Sequence, residues 1–370
     1  MKTLIILLFF THYSLASAVD YGKPELLARY SGLDSFNAPD GLLCFSSEPQ
    51  PTKEGVFLGC MDQVGQFRMV KWSPQFEVLA TSEMGLFSHP KEVEGKINWY
   101  EFNEAGVSTL YEYKNQNLNV INLKNLGPAF ALIDSFTAIK EQGYIYRLQD
   151  ETKKLQSWHN HTIGSLDTQD AAHIFPPVSS EEGEFIVKVR RAHTNEDAPD
   201  ELLFWNGSFQ AVLKDRDAQP TSPLKSFRHQ YALDSGSIAV VVTDDEGEAL
   251  VILKHGKMIE VARSGKELMS FDYFAPKMRN GILVFRGVDL EKRKALWVYQ
   301  AGVLKKLVTQ GDVMQTDKGP ARIDYQSQDA LFYGSPGIGP KGEIYQQATL
   351  SDIDWPTTRL GIGLIKFIKE

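Results

Sequence analysis

The hydrophobic pattern of this 370-residue chain repeats about once every 46 residues. In each unit a glycine opens an apolar, β-branched run. A polar gap, a second apolar run, a tight turn at Gly or Asn and a third short apolar run follow. The segments that start at Ala249 and Ala295 align over 18 positions without a gap. A repeat of this length indicates one supersecondary unit stacked beside its own copies.

The unit can be followed along most of the chain. Six runs open at glycines, namely Gly55, Gly95, Gly143, Gly183, Gly236 and Gly281. A seventh apolar run, Asp329–Tyr333, lacks the glycine. The runs are rich in the β-branched and aromatic residues that suit a pleated, half-buried surface, and turns such as Asn206-Gly207 predict hairpins. Short runs at Lys225–Arg228 and Ser270–Phe274 supply a first strand, so the unit has about four antiparallel strands.

Such a unit cannot bury both of its faces alone, and four-stranded units of this size pack face to face around a central axis. The sequence therefore predicts an all-β fold, a β-propeller of seven blades. Six or eight blades and a linear β-solenoid remain alternatives. Parallel solenoid rungs fit the clear hairpin turns less well.

The two ends of the chain carry separate predictions. Pro24–Arg29 has the pattern of one or two helical turns. The apolar tail Thr358–Lys369, with its spaced glycines, predicts a strand that closes the ring by pairing with the N-terminal segment. A short amphipathic helix is the alternative for the tail.

Residues 1–18 have the pattern of a cleaved export signal. Lys2 precedes the apolar run Leu4–Phe10, and Ala16-Ser17-Ala18 matches a small-residue cleavage site. The alternative, an uncleaved anchor, would need a longer apolar run. We therefore expect a periplasmic or secreted protein whose mature part, residues 19–370, is a single propeller domain, with no membrane span after cleavage.

The two cysteines, Cys44 and Cys60, lie in apolar runs on either side of a turn-forming segment. If these runs pair as a hairpin centred near residue 52, the two cysteines face each other across it. An oxidising compartment would allow them to form a disulfide. Two buried free thiols are the alternative.

The chain is 42% hydrophobic and 23% charged, with a formal net charge of −8. It has no cluster of Lys and Arg long enough to follow a phosphate backbone, which argues against a nucleic-acid partner.

Several segments resemble a known family. The segment Arg279-Asn280-Gly281 with the apolar run after it, the repeat that starts at Ala295, and Asp234–Val240 resemble bacterial exported tandem-repeat proteins whose units carry an Asn-x-x-Gly-x-x-Ala-Phe motif. Most units depart from the strict motif. The resemblance implies a propeller-like β array and no defined reaction.

The densest polar cluster is Trp158-His159-Asn160-His161. Two histidines at i and i+2 lie on one side of a strand and could begin a metal site. No third ligand stands at a recognised spacing, so we predict no metal site, and an exposed hairpin turn is the alternative. Trp158, His159 and His161 are kept as candidate ligand-binding residues.

Two further segments are assigned to connections. The acidic stretch Asp244–Glu248 could attract calcium, but its spacing fits a solvated turn between strands better. The glycine-rich stretch Gly334–Gly342 has no strand-to-helix pattern for a phosphate cradle and predicts a long surface loop. No cofactor motif is recognisable, and we predict none.

No unit carries a catalytic motif, and catalytic residues could not be assigned. We therefore expect a monomeric, non-catalytic binding or scaffold module that contacts a protein, peptide or glycan through loops at one end of the ring. The alternative is a propeller hydrolase or lyase with acidic or His residues at the central channel.

Overall fold

The computed structural model describes residues 20–370, except residues 32–33, 45–47, 83–84, 105, 128–129, 131–132, 142, 149–153, 160–161, 169–170, 193–198, 206 and 325–329. The export signal predicted for residues 1–18 lies outside the described residues and stays a prediction.

The described chain forms seven antiparallel sheets, which are the seven blades of a β-propeller, as predicted. The first strand, β1 (Glu25–Tyr30), belongs to the last blade. Blade 1 consists of β2 (Gln50–Thr52), β3 (Gly55–Met61), β4 (Phe67–Trp72) and β5 (Phe76–Ser82). Blade 2 consists of β6 (Leu86–Phe87), β7 (Lys91–Val93), β8 (Lys96–Asn103), β9 (Gly106–Lys114) and β10 (Asn117–Asn122). A 3-10 helix (Leu123–Leu126) follows it.

The next three blades continue the same order. Blade 3 consists of β11 (Ile133–Ile139), β12 (Gly143–Leu148), β13 (Leu155–His159) and β14 (Thr162–Leu166). Blade 4 consists of β15 (His173–Ile174), β16 (Val178–Ser179), β17 (Phe185–Arg190), β18 (Asp200–Trp205) and β19 (Phe209–Lys214). Blade 5 consists of β20 (Ser226–Asp234), β21 (Ser237–Asp244), β22 (Gly247–Lys254) and β23 (Lys257–Arg263).

The last two blades complete the ring. Blade 6 consists of β24 (Ser270–Phe271), β25 (Lys277–Arg279), β26 (Ile282–Val288), β27 (Lys294–Gln300) and β28 (Val303–Thr309). Blade 7 consists of β29 (Val313–Thr316), β30 (Gly319–Arg322), β31 (Phe332–Ile338), β32 (Ile344–Asp352), β33 (Arg359–Phe367) and β1.

The two ends of the chain meet in blade 7. Strand β1 is its outermost strand and pairs antiparallel with β33, so that Arg29 lies opposite Gly363. This confirms the strand predicted for the tail. The helical turns predicted for Pro24–Arg29 are wrong, because the free edge of β33 offers this segment a complete ladder of backbone hydrogen bonds.

Seven hydrophobic clusters fill the seven interfaces between blades. Strand β21 shows how one sequence serves two of them. Its side chains alternate, so that Val240 packs towards blade 4 and Val241 towards blade 6. Because the second strand of a blade is buried on both faces, its sequence is a continuous apolar run. These strands are the glycine-led apolar runs that recur along the sequence.

The segments that start at Ala249 and Ala295, which align over 18 positions, form the hairpin between the third and fourth strands of their blades. In blades 5 and 6 its turns are His255-Gly256 and Ala301-Gly302, and all four residues have positive φ, as two-residue hairpins prefer. Both hairpins also carry a register shift at the matched position, after Leu250 and after Leu296.

The glycine that opens each unit precedes or begins the second strand in blades 1 to 6. The assignment of the seventh unit is wrong. Residues Phe332 and Tyr333 belong to β31, the inner strand, and the glycine before the second strand of blade 7 is Gly342, with φ of +88°. The inner strand of this blade is apolar enough to resemble a second strand.

The first part of the glycine-rich stretch is not a surface loop either, and only residues 339–342 form a connection, the turn between β31 and β32. Residues 334–338 lie within β31, where Ser335 is fully buried. A Cβ atom on Gly337 would lie 2.3 Å from the carbonyl oxygen of Pro49 in blade 1. Glycine therefore allows the inner strands of blades 7 and 1 to approach closely.

Cys44 and Cys60 form the predicted disulfide. Leu43 bridges to Met61 in the antiparallel sense, which is the pairing centred on residue 52. The acidic stretch Asp244–Glu248 is a turn between β21 and β22, as predicted, and Asp244 is paired with Arg263 at 2.8 Å. Among the described residues, no helix has the length and apolar character needed to cross a membrane.

Candidate functional site

The inner strands of the seven blades surround a central channel of about 250 Å³. In ring order they are β2, β7, β11, β16, β20, β25 and β31, and β31 again adjoins β2. Each is an edge strand, which has no partner on the channel side and tolerates a residue without a backbone N–H. Accordingly, prolines directly precede four of them, namely Pro49, Pro90, Pro177 and Pro276.

Arg279, at the end of β25, spans the channel at the end where the inner strands turn into the second strands. Its Nη1 donates to the carbonyl oxygens of Pro51 in blade 1 and Ile338 in blade 7, both at 3.0 Å. Its Nη2 lies 3.0 Å from Glu92 in blade 2 and 2.8 Å from Glu181 in blade 4. One guanidinium thus joins blade 6 to four other blades, and we call this end the closed end.

Glu181, a carboxylate at the closed end, has a raised pKa. Burial raises its pKa, and the nearby acids Glu92, Glu182 and Asp234 raise it further, to about 7, against the lowering effect of Arg279. The Arg279 charge is therefore shared between two carboxylates that repel each other. Such a group can hold or release a proton near neutral pH.

A second charged group lies further along the channel. Glu48, which precedes β2, is paired with Lys277 of β25. Burial alone would raise the pKa of Glu48, but the charges of Lys277 and His89 and hydrogen bonds from Lys277 and Ser335 lower it to about 2. This carboxylate is therefore ionised throughout the neutral range.

Lys91, the first residue of β7, occupies in blade 2 the position that Lys277 occupies in blade 6. Burial lowers its pKa and the positive charge of Lys277 lowers it further, to about 7, although Glu48 and Glu181 act in the opposite direction. Within the described part of the chain its ammonium has no hydrogen-bond or ion-pair partner.

The opposite end of the channel, where the inner strands begin, is the entrance. Here the inner strands of blades 2, 4 and 6 break into two short strands, and β20 of blade 5 has a register shift. The breaks turn side chains out of the ladder towards solvent. Phe175 stacks on His229 across blades 4 and 5, with ring centroids 5.4 Å apart. Burial and the charges of Lys188 and Arg228 lower the pKa of His229, which favours the neutral ring.

Two more rings stand at the entrance on blade 6. Tyr273 is 77% exposed and Phe274 is 43% exposed. The Arg228 guanidinium lies 5.0 Å from the centroid of Tyr273, and that of Arg286 lies 4.1 Å from the centroid of Phe274. Each arginine is itself fixed by a carboxylate, so the exposed rings rest on ordered cations.

A side cavity of about 420 Å³ adjoins the channel along the break in the inner strand of blade 2. The two spaces share His89, Lys91 and Val178 as lining residues. Its walls are mainly aromatic and come mostly from blades 1, 2 and 3, including Phe67, Phe87, Trp99, Tyr100, Phe136 and Tyr144, with Pro177 and Val178 of blade 4. Lys91 therefore lies between a charged channel and an aromatic cavity.

No protein-family model matches the chain, and no curated protein matches it in sequence. Solved structures match in fold. One is an acylaminoacyl peptidase from Pyrococcus horikoshii, with 7% identity, a TM-score of 0.51 and coverage of 83% of this chain and 50% of that one. Another is a prolyl endopeptidase structure, with 10% identity, a TM-score of 0.50 and coverage of 89% and 50%.

A third is the BP39L lectin from Burkholderia pseudomallei, with 10% identity, a TM-score of 0.49 and coverage of 90% of this chain and 96% of that one. This chain spans about half the length of the two peptidases. At these identities the likeness establishes the propeller fold alone.

Of the candidate residues taken from the sequence, the two that the structure describes, Trp158 and His159, lie away from the channel. Trp158 is 8% exposed and packs between Phe130 and Tyr144, with centroid distances of 5.3 and 5.6 Å. His159 is half-buried at the end of β13, the third strand of blade 3, with its Nε2 4.0 Å from Glu141. His161 lies outside the described residues. A ligand-binding role for these three residues stays a prediction.

Sequence reasoning missed the channel residues Glu48, Lys91, Glu181, Lys277 and Arg279. The available signal was a proline directly followed by a charged residue, as in Pro90-Lys91 and Pro276-Lys277. Proline excludes a central strand, so it marks an edge strand and hence the wall of the channel. Among the described residues, no group of His, Cys, Asp or Glu is placed to hold a metal ion.

Proposed function

We propose that this chain is an exported binding module that holds a peptide segment of a partner protein at the entrance. The observation that carries the proposal is the pair of exposed rings, Tyr273 and Phe274, each seated on an arginine that a carboxylate holds in place. Exposed aromatic rings on an ordered support provide contact area at a small cost in conformational entropy.

The composition of the entrance favours a protein partner over other classes. Tyr, Phe and Arg are enriched in the cores of protein interfaces, and Tyr and Arg dominate binding hot spots. Other strongly exposed apolar residues stand on turns at the same end, namely Val64, Leu290 and Trp355, at 79%, 54% and 71%. They add exposed apolar surface to the end of the ring that carries Tyr273 and Phe274.

Export is supported by the disulfide between Cys44 and Cys60, because disulfides persist mainly in oxidising compartments. Together with the pattern of residues 1–18, it supports a periplasmic or secreted location. We propose that the protein binds its partner as a monomer.

The test is a selection from a random peptide display library on the immobilised protein, with a glycan array run in parallel. We expect a peptide consensus that is lost in the double variant Tyr273→Ser/Phe274→Ser. The matched control is Leu118→Ser/Val120→Ser, which removes exposed apolar surface from the outermost strand of blade 2 and should leave the selection unchanged. Glycan hits that depend on Tyr273, without a peptide consensus, would replace the proposal with glycan binding.

One observation favours the rival function, a propeller hydrolase or lyase. Glu181 and Lys91 both have a pKa near 7 within one channel, and perturbed titrations of this kind cluster at catalytic sites. Incubating the wild type with peptide and glycan libraries would reveal any turnover. Turnover that is lost in Glu181→Gln would favour the enzyme.

A further inference from the structure

The side cavity has the composition of a small-molecule site. Its volume of about 420 Å³ lies within the roughly 300–1,000 Å³ of ligand pockets. Such pockets combine apolar and aromatic walls with a small number of polar groups that fix the orientation of the ligand. Here the walls carry the rings of Trp99, Tyr100 and Phe136, and Lys91 lies where the cavity meets the channel.

Most polar groups on the cavity wall are already used within the protein. The Tyr144 hydroxyl donates to Asn98 Oδ1 at 3.2 Å and also contacts Glu112. Thr137 is hydrogen-bonded to Ser179 at 2.8 Å, and the Ser88 hydroxyl accepts from the Tyr100 backbone N–H at 3.0 Å. The Lys91 ammonium differs from them, since no described residue pairs with it.

The other cations of the channel cannot replace Lys91 in this role. Lys277 is paired with Glu48, and Arg279 with Glu92 and Glu181. An anion that enters the cavity would therefore meet one unpaired positive charge, with aromatic rings behind it. Lys91 is partly buried, and keeping a cation partly out of water without an ion-pair partner is costly, so a bound anion would supply the missing counter-charge.

We propose that the side cavity binds a small planar organic acid, with its ring against the aromatic walls and its carboxylate on the Lys91 ammonium. This inference goes beyond the function proposed for the entrance and uses different residues. Loss of peptide binding in the Tyr273 variant would leave it intact, and the reverse also holds.

The first arm of the test compares an acid with its neutral amide on the wild-type protein. The probes are indole-3-acetate, phenylacetate and benzoate, and each is compared with its own amide. Binding is measured by titration calorimetry. We expect at least one acid to bind with a dissociation constant below 1 mM. This acid should bind at least tenfold more tightly than its amide. Equal binding of acid and amide, or no binding of any acid at 5 mM, would overturn the proposal.

The second arm removes the charge. Lys91→Met should weaken binding of the acid at least tenfold and leave the amide unchanged. Lys254→Met removes one positive charge from an exposed position on β22 and should change neither. Retention of acid affinity in Lys91→Met would contradict the proposal, and Lys91→Gln repeats the test should the first variant fold poorly.

A third measurement distinguishes an ion pair between the ligand carboxylate and Lys91 from an effect of the Lys91 substitution on the structure of the cavity. The groups that act on Lys91 are Glu48, Lys277 and Glu181, with His89 and Glu92 on its own strand segment. A carboxylate beside the ammonium raises its pKa, so binding at pH 8 should take up protons. Calorimetry in Tris and in phosphate should therefore give different enthalpies for the wild type and equal enthalpies for Lys91→Met. Equal enthalpies in the wild type, together with acid affinity that Lys91→Met does not weaken, would contradict the pairing.

Discussion

Arg279 Nη2 lies 2.8 Å from Glu181 Oε2, and this contact joins blade 6 to blade 4 across the centre of the ring. The same nitrogen lies 3.0 Å from Glu92 of blade 2. Adjacent blades are already joined by their hydrophobic interfaces, whereas this contact joins blades that are not neighbours. The centre of the propeller is therefore held by a charge network as well as by packing.

Replacing Arg279 by Met should destabilise the protein by up to about 3 kcal/mol, the lower end of the range for breaking a buried ion pair, because two partly buried carboxylates lose their common partner. The free energy of unfolding from urea titration measures this loss. Arg216→Met is the control, since Arg216 pairs with Asp245 at the surface, where the carboxylate side chain is 70% exposed, and should cost under about 1 kcal/mol. Similar losses in both variants would show that the central network contributes no more than a surface pair.

The pH dependence of stability should reveal the Lys91 titration. The pKa of Lys91 is lowered from 10.5 to about 7 in the folded protein. Between these values the unfolded chain binds more protons than the folded one, so this residue makes the free energy of unfolding rise with pH. The slope is at most about 1.4 kcal/mol per pH unit.

The measurement is the difference in unfolding free energy between the wild type and Lys91→Met from pH 7 to pH 10, which should increase. Glu181→Gln provides the opposite sign. The pKa of Glu181 is raised from 4.5 to about 7, so its contribution is greatest below pH 4.5 and falls as pH rises to 7. A flat difference for Lys91→Met would show that its ammonium titrates normally.

Replacing Gly337 by Ala should strain the junction of blades 7 and 1. The added Cβ would lie 2.3 Å from the Pro49 carbonyl oxygen, so backbone must move. We expect the free energy of unfolding to fall by about 1–3 kcal/mol, the usual cost of overpacking. The fall should appear as a lower midpoint of thermal unfolding. Gly22→Ala is the control, because its Cβ would lie 3.1 Å from the end of the Glu370 side chain and no nearer than 3.9 Å to backbone. An unchanged midpoint in Gly337→Ala would mean that the two strands are not held this closely.

The disulfide should stabilise the first blade. Cys44 and Cys60 enclose a loop with a sequence separation of 16, for which chain entropy gives about 3 kcal/mol. The double variant Cys44→Ser/Cys60→Ser should lose about that much. Dithiothreitol should lower the stability of the wild type to that of the variant and leave the variant unchanged. A wild type whose stability dithiothreitol does not change would refute the assignment.

The fold could be predicted because blade interfaces leave a direct record in the sequence. A strand buried on both faces gives a long apolar run, and the tight turns need glycine at positive φ, as at Gly256 and Gly302. The disulfide followed from the same hairpin logic. The apolar tail indicates a pairing with the N-terminal segment, but the strand in that segment, Glu25–Tyr30, is predicted as helical turns, because its partner β33 is more than 300 residues away and local preference favours a helix there.

The channel was less accessible to sequence reasoning, because it is assembled from residues far apart. Glu48 and Lys277 meet only after the ring has closed. Their pattern is a proline before a short strand, and it becomes informative once the inner strand is known to be an edge. The segment Trp158–His161 is dense in polar residues and is therefore predicted to bind a ligand. Its described part, Trp158 and His159, lies in β13, which pairs with the outermost strand of blade 3.

The central claim is that the entrance binds a peptide through Tyr273 and Phe274. The direct measurement is the dissociation constant, by titration calorimetry, of a peptide selected on the wild-type protein. We predict at least tenfold weaker binding to Tyr273→Ser/Phe274→Ser and unchanged binding to Leu118→Ser/Val120→Ser. Equal affinity for the wild type and the Tyr273→Ser/Phe274→Ser variant would contradict the account.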